Sequence, residues 1–410
     1  MKKTSGFRNS IIVLSTLFLT IIFFSKCITS HDTVIADKDG EQFAGAAKCQ
    51  SCHSDIYAKH LHTAHYLTSQ RASDSSIKGS FEAGKNVYKY NEKLSVAMEK
   101  RENGFYQTEY LDQKEQSAHR FDISIGSGTR GQNFLYWDSG SLYQLPVAYF
   151  TLDNQWSSSP GFPKIPVYNR PIVSRCMECH ATFIKKTGEK NGSGIEIFDS
   201  TQLIYGITCE KCHGPGAQHV AYQMANPTEK KAQYIINPAS LSRQQNIDLC
   251  TLCHAGNRGK LQPSFSFKVG GLLSNYFYDD DGPVDPQNID VHGNQYGLLR
   301  LSKCFRKSQT MTCNSCHNVH ENERDKIETF STRCINCHGT EHVPVCKMMA
   351  SIGASINKDC VNCHMPKKES KTITILLANR DTLSAPYIRS HYISINEMET
   401  KAFLTSKKKQ

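Results

Sequence analysis

The sequence predicts a mainly α chain with little regular structure of its own, interrupted by one small antiparallel β module. Three observations predict it. Seven C-x-x-C-H units punctuate the 410 residues. The 122 residues between the first two units have a different texture, rich in Tyr, Val and Phe and broken by turn signals. Only 39% of residues are hydrophobic, too sparse a supply for the chain to fill its interior unaided.

The seven units are Cys49/Cys52/His53, Cys176/Cys179/His180, Cys209/Cys212/His213, Cys250/Cys253/His254, Cys313/Cys316/His317, Cys334/Cys337/His338 and Cys360/Cys363/His364. Positions i, i+3 and i+4 share a helical face, so two thiols and an imidazole point the same way. That arrangement suits thioether attachment of a haem with the histidine as axial ligand. Structural zinc does not require a histidine after every second cysteine, and a redox dithiol is used once per domain. The units are therefore expected to carry seven c-type haems, packed so that little regular structure surrounds them. They use 14 of 17 cysteines and leave Cys27, Cys304 and Cys346. Haem attachment of this kind belongs to an oxidising compartment, where a Cys304–Cys346 disulfide is expected.

The formal charge of +10 does not signal nucleic acid. Residues 1–26 hold Lys2, Lys3, Arg8 and Lys26 and no acid, so setting them aside leaves +6. Seven ferric haems with ionised propionates add about −7, which leaves about −1.

In chain order, residues 1–26 read as a signal peptide with an apolar run from Ile11 to Phe24. Cys27 is the expected lipidated residue, and 27–44 a tether. Residues 45–75 form the first haem segment, with His60, His62 and His65 as candidate ligands. Residues 80–165 are the β-rich insertion, marked by Asn103-Gly104 and Asp138-Ser139-Gly140; His119 within it is expected on the surface. Residues 170–400 form a multihaem core of short helices and loops. The acidic run Asp279-Asp280-Asp281-Gly282 lacks a complete EF-hand pattern.

Ten histidines lie outside the motifs. His31 falls in the tether. His320 and His342 lie three and four residues after a motif histidine, so they share its face and must serve another haem. Such sharing forces macrocycles together. Two imidazoles per iron keep the potential low and leave no position for substrate. Met365 follows its motif histidine too closely to reach the far side of that haem.

GITCEKCHGPGAQHV, VHGNQYG, LSKCFRKSQTMTCNSCHNVH, KDCVNCHMP and YIRSH resemble the multihaem cytochromes c related to the nitrifiers' tetrahaem cytochrome. That superfamily includes pentahaem nitrite reductase and hydroxylamine oxidoreductase. The resemblance covers most of residues 42–395. It implies distal ligands at His65, His219, His292, His320 and His391, with His342 and either His60 or His62 for the remaining haems. No motif here ends in the lysine of the nitrite reductases.

These readings imply an exported electron-transfer protein, periplasmic or at the cell surface, lipid-anchored and working with membrane-associated redox partners. The rival is an oxidoreductase acting on a small nitrogen or sulfur compound. Its open site would be the haem at Cys250, which has no spare histidine nearby in sequence. A third reading makes the β module a docking element.

Overall fold

The computed structural model describes residues 34–279, 282–287, 294–339, 346–371, 373–378 and 382–407. The signal peptide, Cys27, His31, His292 and His342 lie outside the described residues. Ala36–Gln410 fold as one unit.

The chain is not mainly α. Helix accounts for 28% and strand for 25%, in several antiparallel sheets. The β module supplies most of the strand. A four-stranded meander runs through Val87–Lys89, Leu94–Arg101, Gly104–Leu111 and Lys114–Arg120. A second sheet of seven strands begins at Ser69–Arg71 and takes in Ile123–Ile125, Gly131–Asp138, Ser141–Gln144 and Arg170–Pro171, with Val147–Phe150 and Gln155–Ser158 on a branch. The hairpin joining Gly131–Asp138 to Ser141–Gln144 turns on Ser139 and Gly140, at φ 49° and 80°. Both residues are left-handed, as the tight turn that matches strand twist requires.

Period-two alternation gives the larger sheet two apolar faces. Phe134 packs on one face with Leu145, Val147 and Trp156 and with Tyr88, Val96 and Met98 of the meander. On the other, Leu135, Leu142 and Trp137 pack against Met177 of the second motif and Ile184, Phe198 and Leu203. The sheet is thus sandwiched between the meander and the haem-bearing chain.

Those last three residues belong to a long hairpin, Ala181–Glu189 with Glu196–Tyr205, where short helices and loops were expected. Its sequence carries the strand signal: Phe183, Ile184, Ile195, Ile197, Phe198, Ile204 and Tyr205 flank an Asn191-Gly192 turn. A C-terminal strand, Ile375–Leu376, returns to the module. Tyr88 Oη donates to the Leu376 carbonyl at 3.2 Å, and Leu376 N donates to Ser158 Oγ at 2.9 Å. Among the described residues no helix is long and apolar enough to cross a membrane.

The helices that carry the motifs are short. Ser174–His180, Cys209–His213 and Cys360–His364 span one or two turns; Arg243–His254 has 12 residues and opens on a Ser242/Gln245 capping box.

Candidate haem sites

The motifs, far apart in sequence, meet sulfur to sulfur. Cys49 lies within hydrogen-bonding reach of Cys209, Cys179 of Cys253, Cys250 of Cys313, and Cys334 of Cys360. Weaker electrostatic proximity joins Cys212 to Cys250 and Cys316 to Cys337. In motif order, the first meets the third, the third the fourth, and the fourth the fifth. The fifth meets the sixth and the sixth the seventh, while the second branches from the fourth.

Three motifs depart from the expected helical face; in the fifth, the 3₁₀ turn Cys313–Ser315 ends before Cys316 and His317. The helix Ala46–Cys49 ends on the first cysteine of its motif, so Cys52 and His53 fall in the turn that follows and are exposed. Cys52 Sγ there meets only the neighbouring Ser51 hydroxyl, at 3.8 Å. The sixth motif repeats the pattern. Its helix, Ile327–Ile335, ends one residue past Cys334, and Cys337 and His338 lie exposed in the next turn. His338 N still donates to the Cys334 carbonyl at 2.8 Å, which closes one turn of backbone. Its ring, however, faces no other described imidazole. Cys52 and His338, expected as a haem attachment and an iron ligand, are exposed in this structure and held by local turns.

Buried charged groups hold the junctions. At the second and fourth motifs, Glu178 accepts from Arg175 at 2.8 Å and from Phe265 N at 2.6 Å, while Arg175 donates to the Leu252 carbonyl at 2.9 Å. At the first and third, the Glu210 carboxylate accepts from Ala44 N at 2.7 Å, Gly45 N at 3.0 Å and Gly216 N at 2.8 Å. Burial outweighs these donors and leaves the Glu210 carboxyl above its ordinary value. The stretch just before is also pinned: Lys268 pairs with Asp37, Asp39 and Glu41. Residues 36–45, the end of the expected tether, therefore lie clamped against the third motif. At the fifth and sixth, Arg333 donates to Glu323 and, at 2.7 Å, to the Cys316 carbonyl.

Histidines elsewhere fall into facing pairs. An imidazole nitrogen binds a first-row metal at about 2.0–2.1 Å, and its ring centre is about 1.1 Å further back, so two rings trans on one metal have centroids about 6.2 Å apart. His213 and His320 are 6.2 Å apart, His254 and His65 6.0 Å, and His317 and His391 6.1 Å. His60 and His320 are also 6.3 Å apart; the other three spacings each join a motif histidine to a distant one, and those residues fit a haem iron. Burial pushes His65 and His391 down to about 4 and lowers His213, His254, His317 and His320 as well. All six are neutral near pH 7, the form a metal needs.

Orientation agrees. Nδ1 donates to the Ile236 carbonyl in His213 (2.8 Å), to the Gln233 carbonyl in His219 (2.9 Å) and to the Ser394 carbonyl in His364 (2.9 Å). In His180 it meets Thr68 Oγ1 at 3.0 Å. Each bond fixes the ring and leaves Nε2 for the metal. His213 stands near both His219 and His53. His60 behaves differently: it is buried, and its Nε2 is spent on the Ile207 carbonyl at 3.0 Å. His62 is exposed and makes no ring pair among the described residues. The pairing of His65 with His254 supplies a second imidazole where the sequence left the fourth motif open.

Cys304 and Cys346 are both free thiols, so the expected disulfide is not formed. Cys304 neighbours Cys316 and Cys337, whereas Cys346 neighbours Cys363, so the two thiols serve different junctions. His119, half-buried, stacks on Tyr168 at 4.0 Å in the β module, apart from the paired imidazoles.

A family model described as cytochrome c554 and c-prime matches residues 166–214, which hold the second and third motifs. The multiheme cytochrome MtrA of Shewanella baltica (strain OS185) is 25% identical over 218 residues, 48% of this chain and 61% of that protein. The chain therefore spans less than two thirds of the length of this curated relative. The crystal structure of outer cell wall cytochrome OcwA matches with a TM-score of 0.50 at 16% identity, covering 88% of this chain and 81% of that one. At that identity the likeness concerns fold alone. The chain is thus similar in part of its sequence to multihaem c-type cytochromes, proteins that carry covalently bound haem c.

Proposed function

We propose that this protein is an electron relay carrying seven haems, one at each motif, with mostly bis-histidine iron. The observation that carries the proposal is the set of sulfur contacts between motifs. A thioether forms at the macrocycle edge, so two motifs whose sulfurs touch set two haem edges side by side. Electrons then have a continuous route from the first motif through the third, fourth, fifth and sixth to the seventh, and the second haem forms a spur at the fourth. The exposed first motif, at Cys52 and His53, and the exposed sixth, at Cys337 and His338, give this route two openings to solvent and so to partners.

In this reading His320 serves the third haem, His65 the fourth and His391 the fifth, while His219, His292 and His342 are proposed for others. A bound haem supplies reversible one-electron chemistry at iron. The chain supplies neutral imidazoles, fixed ring orientation and low-dielectric walls, which together keep reorganisation small. An enzyme with an open fourth haem is disfavoured by His65 standing opposite His254. Export, lipidation at Cys27, a membrane-associated redox partner and a place in the periplasm or at the cell surface complete the proposal on the sequence signal alone.

Intact-mass spectrometry and low-temperature EPR of the ferric holoprotein test it together. Seven added haem masses and a dominantly low-spin spectrum are expected; fewer haems, or a large high-spin fraction that shifts with cyanide, would overturn the relay.

A further inference from the structure

We infer that Arg130, carried out of the β module by the turn 126–131, and Arg324, in the loop after the fifth motif, together seat a propionate of the fifth haem and raise its reduction potential. The inference rests on the relay reading and gives the β module a part in it.

The turn is held tightly. Gly126 N donates to the Thr68 carbonyl at 2.7 Å, Thr151 N to the Arg130 carbonyl at 3.0 Å and Thr151 Oγ1 to the Gly128 carbonyl at 2.7 Å. Gly126 is left-handed at φ 99°, and a Cβ added there would lie 2.9 Å from the Gly131 carbonyl oxygen. The backbone that launches Arg130 therefore has no slack. Thr68 itself meets His180 of the second motif through Oγ1. The turn thus lies against the haem-bearing chain, away from the free edges of the module.

Arg130 is partly buried, yet its guanidinium makes no hydrogen bond or ion pair among the described residues. Arginines at the other junctions behave differently. Arg175 and Arg333 spend theirs on Glu178 and Glu323. Arg389 donates to the Val361 and Met365 carbonyls at 2.8 and 2.7 Å and to Asn362 at 3.0 Å. A guanidinium keeps its charge and its five donors when desolvated, so leaving one unpaired is costly. Burial and the like charge of Arg324 both work against Arg130, and the Asp325 carboxylate only partly offsets them. The Arg324 guanidinium also lacks a partner among the described residues. Two cations converge where an anion is wanted.

The neighbours say which anion. Arg324 and Asp325 lie in the loop that follows His317, and Arg389, just before His391, feels the charge of Asp325. His317 and His391 face each other at 6.1 Å, so the unpaired cations border the fifth site. A carboxylate fits the guanidinium fork two oxygens to two nitrogens. In the relay reading the propionates supply that carboxylate. Reduction of the iron adds one negative charge to the site, and cations held beside it favour the reduced form.

Redox titration of the holoprotein tests the seat. In a His391→Ala background the fifth iron becomes high-spin, and EPR can follow it apart from the rest. Adding Arg130→Met should lower the midpoint of that signal by about 59 mV or more, a tenfold change in its one-electron equilibrium. Arg130→Lys should restore part of the shift, and the exposed Arg324→Met should act in the same direction by less. In the otherwise wild-type chain, Arg130→Met should move about one seventh of the haem absorbance by the same amount. Haem content should stay unchanged. Midpoints unmoved by Arg130→Met in both backgrounds would overturn the seat, even if the variant melts earlier, since a merely structural arginine would leave the potential alone. A wild-type midpoint that shifts with added phosphate would assign the two arginines to a free anion and overturn the propionate. Absence of any high-spin iron in His391→Ala would instead count against the fifth site of the relay itself.

Discussion

In the proposed relay, replacing His65 by alanine should isolate one haem among seven. His65 precedes a short 3₁₀ turn, Tyr66–Thr68, and its carbonyl accepts from Ile207 N at 2.9 Å, so the backbone there is tied to the approach of the third motif. Its ring lies 6.0 Å from that of His254 and is neutral near pH 7. Loss of the ring removes one axial ligand from the fourth haem and leaves its iron with His254 alone, open to water or an added ligand. The expected consequence is a high-spin ferric signal of roughly one seventh of the total iron, abolished by cyanide. His62→Ala, at a ring outside the facing pairs, should leave the spectrum low-spin. So should His60→Ala, although it strips the buried Ile207 carbonyl of its donor and should cost about 1–3 kcal/mol. EPR and magnetic circular dichroism of the three variants give the answer. A fully low-spin His65→Ala protein, or a high-spin signal in His60→Ala, would refute the pairing of His65 with His254.

The junctions yield further expectations. Arg175→Met leaves Glu178, whose side chain is 1% exposed, without its counter-ion, and should cost about 3–5 kcal/mol in urea unfolding of the holoprotein. Adding Glu178→Leu should recover much of that loss, and a single variant within 1 kcal/mol of wild type (roughly the range of an exposed pair) contradicts the reading. Gly206 has φ +66°, and an added Cβ would lie 2.1 Å from the Tyr66 carbonyl oxygen. Gly206→Ala should therefore lose more than the roughly 1–2 kcal/mol of a left-handed alanine, seen as a lowered thermal midpoint; an unchanged midpoint counts against it. Arg333 holds the Glu323 carboxyl below its ordinary value. A lowered carboxyl contributes stability above its unfolded pKa, near 4.5, and loses it as the pH falls through the folded value. The urea midpoints of wild type and Glu323→Gln should thus differ at pH 6–7 and converge toward pH 3. A pH-independent gap would exclude the charge pair as the cause.

How much of this was legible depended on whether the signal was local. The seven motifs are local by construction, and each fell on a short helix or turn. What the motifs do not encode is their packing: Cys52 and His338 lie past their helix ends and are exposed, whereas His317 lies past its 3₁₀ turn and packs its ring against Phe330 and His391. The capping box at Ser242 and the turn at Ser139-Gly140 were readable, since cap and turn chemistry reside in two to four consecutive residues. The hairpin at 181–205 was readable too, from its run of Ile, Phe and Tyr around Asn191-Gly192. The closely spaced motifs instead predict haems, rather than strands, in that region. The error in fold class has the same root. Haems were expected to replace secondary structure, yet Leu135, Trp137 and Leu142 show a sheet used as the wall against which the second motif packs.

The distal ligands had no local signal at all. His65 and His254 are separated by 188 residues, and nothing around Cys250 announces a second imidazole. Helical geometry did limit one of them: a histidine three residues after His317 had to look elsewhere, and His320 stands opposite His213. That single restriction shows why a relay of this kind needs a rigid scaffold. In the proposed relay each borrowed histidine would fix the haem of one motif to the chain of another, so the spacing between haems would become a property of the tertiary fold. The Arg175–Glu178 pair, the Glu210 backbone clasp and the Arg333–Glu323 pair lie at three junctions of this kind. Rigidity at those points, more than the number of haems, sets how closely the macrocycle edges are held.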